Sequence, residues 1–159
     1  MNDQLDDSQK RPTSELQVGT MVSHYEIIRK IGAGGMGEVY LVRDTKLNRQ
    51  VALKFLSSHF IPDEDFKKRF IREAEATARL NHPNIVTIYE VSEHENRPYF
   101  AMELVEGQSL KHHIQNRELT LDQVLQFGIQ IGDAMSAAHE SGVNHRDIKP
   151  ANILIDAYQ

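Results

Sequence analysis

Apolar positions alternate in short runs through the first part of the chain and recur at helical spacing in the second. Three runs follow one another from Tyr25: YEIIRKI, EVYLVRD and QVALKFL, at 25–31, 38–44 and 50–56. Their period of two and their β-branched and aromatic content predict strands. Residues 45–49 between the second and third are polar and of hairpin length. Residues 63–80 read as a helix, with Pro62 just before it and Asp63, Glu64 and Asp65 in its first turn. His82-Pro83-Asn84 breaks that helix, and IVTIYEV (85–91) and PYFAMEL (98–104) predict two more strands. After Gly107 the strand signal fades. Ser109 is placed to cap a short helix, and Thr120 with Gln123 forms a capping-box pattern opening a long helix that Gly142 ends. The order predicts an α+β chain in two parts, residues 21–106 and 107–159, behind a polar, disordered tail at 1–20 whose composition offers almost nothing to bury.

Composition narrows the function classes. The chain has 159 residues, a formal net charge of −5, 40% hydrophobic and 26% charged residues, ordinary globular usage. Without cysteine there is no disulfide framework, thiolate metal site or cysteine nucleophile. No apolar run reaches the ~18–20 residues of a membrane span, so a cytoplasmic domain is expected, with any anchor lying further along a longer protein. Mild acidity argues against nucleic acid as a partner. The histidines do not form a metal-ligand pattern, because adjacent His112 and His113 point to different sides of a helix.

The first chemistry-bearing pattern is IGAGGMGEV: Ile31, Gly32, Ala33, Gly34, Gly35, Met36, Gly37, Glu38 and Val39. Glycines at 32, 34 and 37 allow backbone N–H groups to approach phosphate oxygens, although plain hairpins also carry glycine-rich turns. A dinucleotide-binding loop would open a helix and place an acidic residue ~20 positions on. Here a strand follows, and nothing acidic lies between Asp44 and Asp63. A Walker A loop needs Lys then Ser or Thr after its last glycine, where this chain has Glu38 and Val39. A glycine-rich hairpin over a nucleotide remains.

Lys54 shares a strand face with Ala52 and Leu56, a position usually no more than a wetted lysine. On the following helix, Phe66, Phe70, Ala74, Thr77, Ala78 and Leu80 define an apolar arc at ~100° per residue. Glu73 falls within the arc, as does Lys67, whose stem is long enough to snorkel to water. A carboxylate on a core-facing stripe needs a cation, and Lys54 is the expected partner.

The densest pattern is HRDIKPANILI, with His145, Arg146, Asp147, Lys149, Pro150 and Asn152 inside eight positions. A polar loop before a strand does not account for that set. It resembles the catalytic loop of protein kinases, and the earlier features fall in that family's order. The run from Ile31 to Leu56 is particularly similar to bacterial serine/threonine kinases of the eukaryotic type. The resemblance implies a small lobe of five antiparallel strands and one long helix, then part of a helical large lobe. It implies that residues 31–39 cover the phosphates of ATP and that Lys54, paired with Glu73, contacts them. Val39 and Ala52 would cover the adenine, with Leu154 beneath. Met102 would border the back pocket, and Glu103 and Val105 would be the hinge. Asp147 would accept the proton of a Ser or Thr hydroxyl on a protein substrate, Lys149 would neutralise the γ-phosphate, and Asn152 would hold Mg²⁺. Arg146 would receive a phosphorylated activation loop.

The departures shape the functional expectation. Asn144 and Thr77 replace apolar residues usual at those places. No Asp-Phe-Gly follows Asn152 before Gln159, so the expectation is the first half of a kinase domain, inactive alone, whose exposed large-lobe surface self-associates. A non-catalytic nucleotide-binding or docking module is the alternative.

Overall fold

The computed structural model describes residues 15–35 and 37–157. Met36 of the glycine run and residues 1–14 of the expected tail lie outside the described residues. Six strands form one antiparallel sheet: β1 (Met21–Val22), β2 (Tyr25–Gly34), β3 (Gly37–Asp44), β4 (Arg49–Leu56), β5 (Ile88–His94) and β6 (Arg97–Met102), in the order β1-β2-β3-β4-β6-β5. Helix α1 (Glu64–Thr77) interrupts the strands between β4 and β5. After β6 come β7 (Gly107–Ser109), α2 (Leu110–Asn116), α3 (Leu121–Glu140) and β8 (Leu154–Asp156), with β7 and β8 paired in a sheet of their own.

The alternation expected of the strands is what sorts the two faces of the sheet. Ile27, Tyr40, Val42, Leu53, Phe55 and Tyr99 meet in one core, each almost inaccessible to water, and their rings pack at 5.9 Å (Tyr40–Phe55) and 5.2 Å (Phe55–Tyr99). The opposite face carries Val39, Ala52 and Lys54. There α1 packs through Phe70, whose ring lies 5.2 Å from Phe100. The β3–β4 hairpin is fixed by buried Asp44, whose Oδ1 accepts from the backbone N–H groups of Lys46 and Leu47, each at 3.0 Å.

The expected caps form. Asp63 accepts from the Phe66 N–H at 2.9 Å, and Ser109 from the His112 N–H at 3.2 Å. Thr120 and Gln123 make both bonds of the capping box. Gly142, with φ of 75°, closes α3 as Val143 N–H reaches back to the Ala138 carbonyl at 2.8 Å.

Three expectations are corrected. The main sheet has six strands rather than five, because Met21 and Val22 pair with Glu26 and Tyr25. Strand β5 begins at Ile88, not at residue 85. Ile85 N–H is held in a turn by the His82 carbonyl at 3.1 Å, and the Thr87 carbonyl accepts from Glu103 N–H at 2.9 Å, beyond the β5–β6 ladder. The third correction concerns residues 15–20, which belong to the folded unit rather than to a tail. Leu16 rests on the core, with its N–H donating to the Tyr40 hydroxyl at 3.2 Å, and Gly19 N–H bonds the Ile27 carbonyl at 2.8 Å.

Candidate active site

The glycine run is the β2–β3 hairpin, with Gly34 opposite Gly37 and Gly32 opposite Val39. Its glycines are there for different reasons. A Cβ on Gly37 would stand 1.9 Å from the Phe55 carbonyl oxygen, so β3 can approach β4 this closely only without a side chain. A Cβ on Gly34 or Gly35 would meet nothing within 4 Å, and neither residue has a positive φ. Neither packing nor backbone conformation demands glycine at those two positions, and both leave the tip of the hairpin bare. Ile31 and Ala33 are exposed beside them. Glu38 turns to the opposite face, where its carboxylate accepts from Lys30 Nζ and Arg97 Nη2, both at 2.6 Å.

Lys54 projects from β4 on the side of α1, with its amine 5.8 Å from the centre of the Phe100 ring. Burial pushes the amine's pKa down, while the Glu73 and Asp147 carboxylates, both near enough to act on it, oppose that shift. The direct pair expected between Lys54 and Glu73 does not form, their charged groups standing more than 4.0 Å apart. The buried stripe of α1 is Lys67, Phe70 and Ala74, and Glu73, about 60° around the helix from Phe70 at 100° per residue, is exposed at its edge. Lys67 is also corrected. Its side chain is buried, not snorkelled, and its amine bonds Glu64 Oε1 at 3.3 Å and Asn96 Oδ1 at 3.2 Å.

Past β6 the chain turns through the expected hinge. Met102, half-buried, pairs with Ala52 across the sheet. The Glu103 carboxylate accepts from Thr87 N–H at 3.2 Å, which steadies this bend. The Glu103 carbonyl and the Val105 N–H take no backbone partner among the described residues.

The His-Arg-Asp stretch lies between α3 and β8. Arg146 adopts a left-handed conformation, φ 60°, and the next N–H, that of Asp147, donates to His145 Nδ1 at 3.3 Å. The Asp147 carboxylate receives Lys149 Nζ at 2.9 Å and Asn152 Nδ2 at 2.9 Å, and the same Asn152 amide bonds the Asp147 carbonyl at 3.0 Å. These donors, Lys149 foremost, hold the Asp147 carboxyl below its ordinary pKa, leaving a half-exposed, ionised acceptor. Leu154 is exposed just beyond, at the start of β8. Asn152 spends its amide nitrogen on Asp147, so one neutral amide oxygen is what it can offer a cation. No cluster of three acidic or histidine residues among the described residues adds to it. Mg²⁺, which the resemblance implies, prefers carboxylates and several donors, and the described residues do not bring such a set together.

An antiparallel sheet backed by one helix thus carries a bare-tipped glycine hairpin and a desolvated strand lysine, and the loop before β8 carries an aspartate braced by Lys149 and Asn152. The family model for the protein kinase domain matches residues 25–159, and the chain belongs to the protein kinase family. Serine/threonine-protein kinase PrkC of Bacillus subtilis is 45% identical over 141 residues, covering 87% of this chain and 22% of PrkC. PknJ of Mycobacterium tuberculosis is 41% identical over 141 residues, 89% of this chain and 24% of PknJ. The crystal structure of the Mycobacterium tuberculosis PknI kinase domain superposes with a TM-score of 0.82 at 34% identity, covering 91% of this chain and 60% of that one. The chain thus spans less than a quarter of the length of these curated relatives. Among the described residues no helix is long and apolar enough to cross a membrane.

Proposed function

We propose that residues 21–106 form a small lobe and 107–159 the beginning of a large one, that ATP binds between them, and that the domain passes the γ-phosphoryl group to Ser or Thr hydroxyls of cytoplasmic proteins. The observation that carries this reading is the bracing of Asp147 by Lys149 and Asn152 at 2.9 Å. An ionised, oriented carboxylate is the group a substrate hydroxyl needs as proton acceptor, and phosphoryl transfer asks mainly for positioning and charge compensation. Lys149, already beside Asp147, would neutralise the γ-phosphate, and Lys54 the α- and β-phosphates. The bare tip at Gly34 and Gly35 leaves room for backbone N–H groups to reach phosphate oxygens. Val39 and Ala52 would lie above the adenine and Leu154 below it, with Met102 behind, while the Glu103 carbonyl and the Val105 N–H would read its edge.

A second reading, a nucleotide-binding or docking module without transfer, draws on the single amide donor at Asn152 and on the unmade Lys54–Glu73 pair. Calorimetric titration with ATP and a labelled-ATP transfer assay, run on this chain and on one extended through a complete kinase domain, separate the two, since only the first reading expects transfer by the longer chain. For the 159-residue chain the expected result is weak ATP binding, reduced about tenfold in Lys54→Met by loss of a charge-assisted contact, with negligible transfer. Absence of ATP binding up to millimolar concentration would remove both readings. Robust transfer that disappears in Asp147→Asn would refute the argument from the metal donors.

A further inference from the structure

The glycine-rich hairpin has little to rest on at its tip, since Gly34 and Gly35 have no neighbour where a Cβ would stand. Its direction is therefore set at its base. Glu38 stands at that base, next to Gly37, on the strand face that also carries Tyr40, turned away from Val39, Ala52 and Lys54. One carboxylate oxygen accepts from Lys30 Nζ at 2.6 Å and the other from Arg97 Nη2 at 2.6 Å. Lys30 lies where β2 enters the hairpin, directly before the register shift between Lys30 and Gly32. Arg97 is buried and immobilised: its Nε donates to the Leu56 carbonyl at 2.7 Å, and its guanidinium lies 4.9 Å from the centre of the Phe55 ring. One carboxylate thus ties both strands of the hairpin to the ends of β4 and β6. Burial alone would raise the Glu38 carboxyl's pKa, but the hydrogen bonds from Lys30 and Arg97 outweigh it and hold the group ionised. The chain of charges continues outward, because Glu15 Oε1 lies 3.4 Å from Lys30 Nζ while Leu16 packs on the core.

We propose that Glu38 is a positioning residue for the glycine-rich hairpin, gripping it from the side of the sheet opposite the nucleotide, and that Glu15 and Leu16 extend this grip to the N-terminal segment. The inference rests on the proposed ATP site only for its affinity readout. Removing the carboxylate's charge leaves the buried Arg97 without its counter-charge and Lys30 with only the exposed Glu15, and the hairpin swings while the core below stays packed.

Amide hydrogen exchange of the 159-residue chain tests this, comparing wild type with Glu38→Gln and reading the hairpin amides against those of β4 and β6. The expected result is exchange about tenfold faster at the hairpin, as loss of one charge-assisted bond implies, with β4 and β6 unchanged and ATP bound several-fold more weakly. Should Glu38→Gln fail to fold, Lys30→Met removes one of the two cations at a more exposed position and is judged by the same readouts. Unchanged hairpin exchange overturns the proposal, and so does faster exchange throughout the sheet, which would make Glu38 a general stabiliser. If wild type binds no ATP, the nucleotide reading falls while the exchange data still decide the grip.

Discussion

Replacing Gly37 by alanine separates a glycine that the sheet needs from glycines that leave room for something else. The added Cβ would sit 1.9 Å from the Phe55 carbonyl oxygen, 3.0 Å from the Phe55 carbonyl carbon and 3.3 Å from the Ser57 nitrogen. All three are backbone atoms, so no side chain can yield, and β3 must retreat from β4 by roughly 1.5 Å to restore an ordinary contact. That retreat spoils the end of the ladder, where Gly37 pairs with Leu56 and Glu38 with Phe55. Two pairings at about 0.5–1.5 kcal/mol each suggest a loss of about 1–3 kcal/mol. The entropy that alanine removes from the unfolded chain returns about 0.4–1 kcal/mol. The net expectation is about 1–2 kcal/mol, or about 2–8 °C in melting temperature at this chain length. Gly35→Ala, with nothing within 4 Å, should melt with the wild type or slightly above it and lose ATP affinity instead. Thermal melts followed by circular dichroism, with urea titration for the free energy, measure the contrast. Equal melting temperatures for Gly37→Ala and Gly35→Ala would refute the reasoning.

Leu53→Ala, at a fully buried core position, should cost about 2–5 kcal/mol in urea titration, and a loss under 1 kcal/mol would show that the sheet face is not close-packed. Lys54→Met should raise the melting temperature at pH 7. The folded state lowers the lysine's pKa, so its charged form opposes folding below that pKa, and the penalty fades as pH rises towards the unfolded value of about 10.4. The gain from Lys54→Met should therefore shrink in melts at pH 10, and a gain that grew with pH would reverse the sign of the argument. Asn96→Ala withdraws one of the two partners of the buried Lys67 amine and should cost about 1–3 kcal/mol, read in the same titration. Helix α3 exposes Leu121, Val124, Leu125 and Ile129, and concentration-dependent self-association is expected in sedimentation velocity, with a monodisperse monomer as the contrary result.

Period-two alternation announced β2, β3 and β4 because their two faces meet different surroundings, the ring-rich core on one side and α1 with the lysine on the other. Met21–Val22 and the β7–β8 pair are too short to show any period, and long-range pairing alone makes them strands. The helical arc of α1 correctly held Phe70 and Ala74. Periodicity gives direction around a helix but not depth, so it did not distinguish Glu73, exposed at the edge, from Lys67, buried between Glu64 and Asn96. The His-Arg-Asp loop was legible because its chemistry is contiguous in sequence, and its bracing by Lys149 and Asn152 joins residues only two and five positions from Asp147. The Glu38 grip was not legible, since Lys30, Glu38 and Arg97 come together only when three strands align. Its one local signal was an arginine opening the apolar run of β6. Leu16 gave a similar single hint within a polar stretch, and its value depends on a core formed far along the chain.

The β7–β8 pair fixes a span across the lower half of the site. Gly107 faces Asp156 and Ser109 faces Leu154, and a side chain at Gly107 would strike the Ile155 carbonyl oxygen at 1.8 Å. Glu106 takes the N–H of Ala157 at 2.9 Å, and Leu110 N–H bonds Ile153 at 2.8 Å. Val105 stands two residues before this splice and Asn152 two residues before its other arm, so on the proposed reading the base-reading end and the transfer end are the jaws of one caliper. The pairing couples the two ends: a shift at Val105 would be passed through β7 and β8 towards the Asp147 loop.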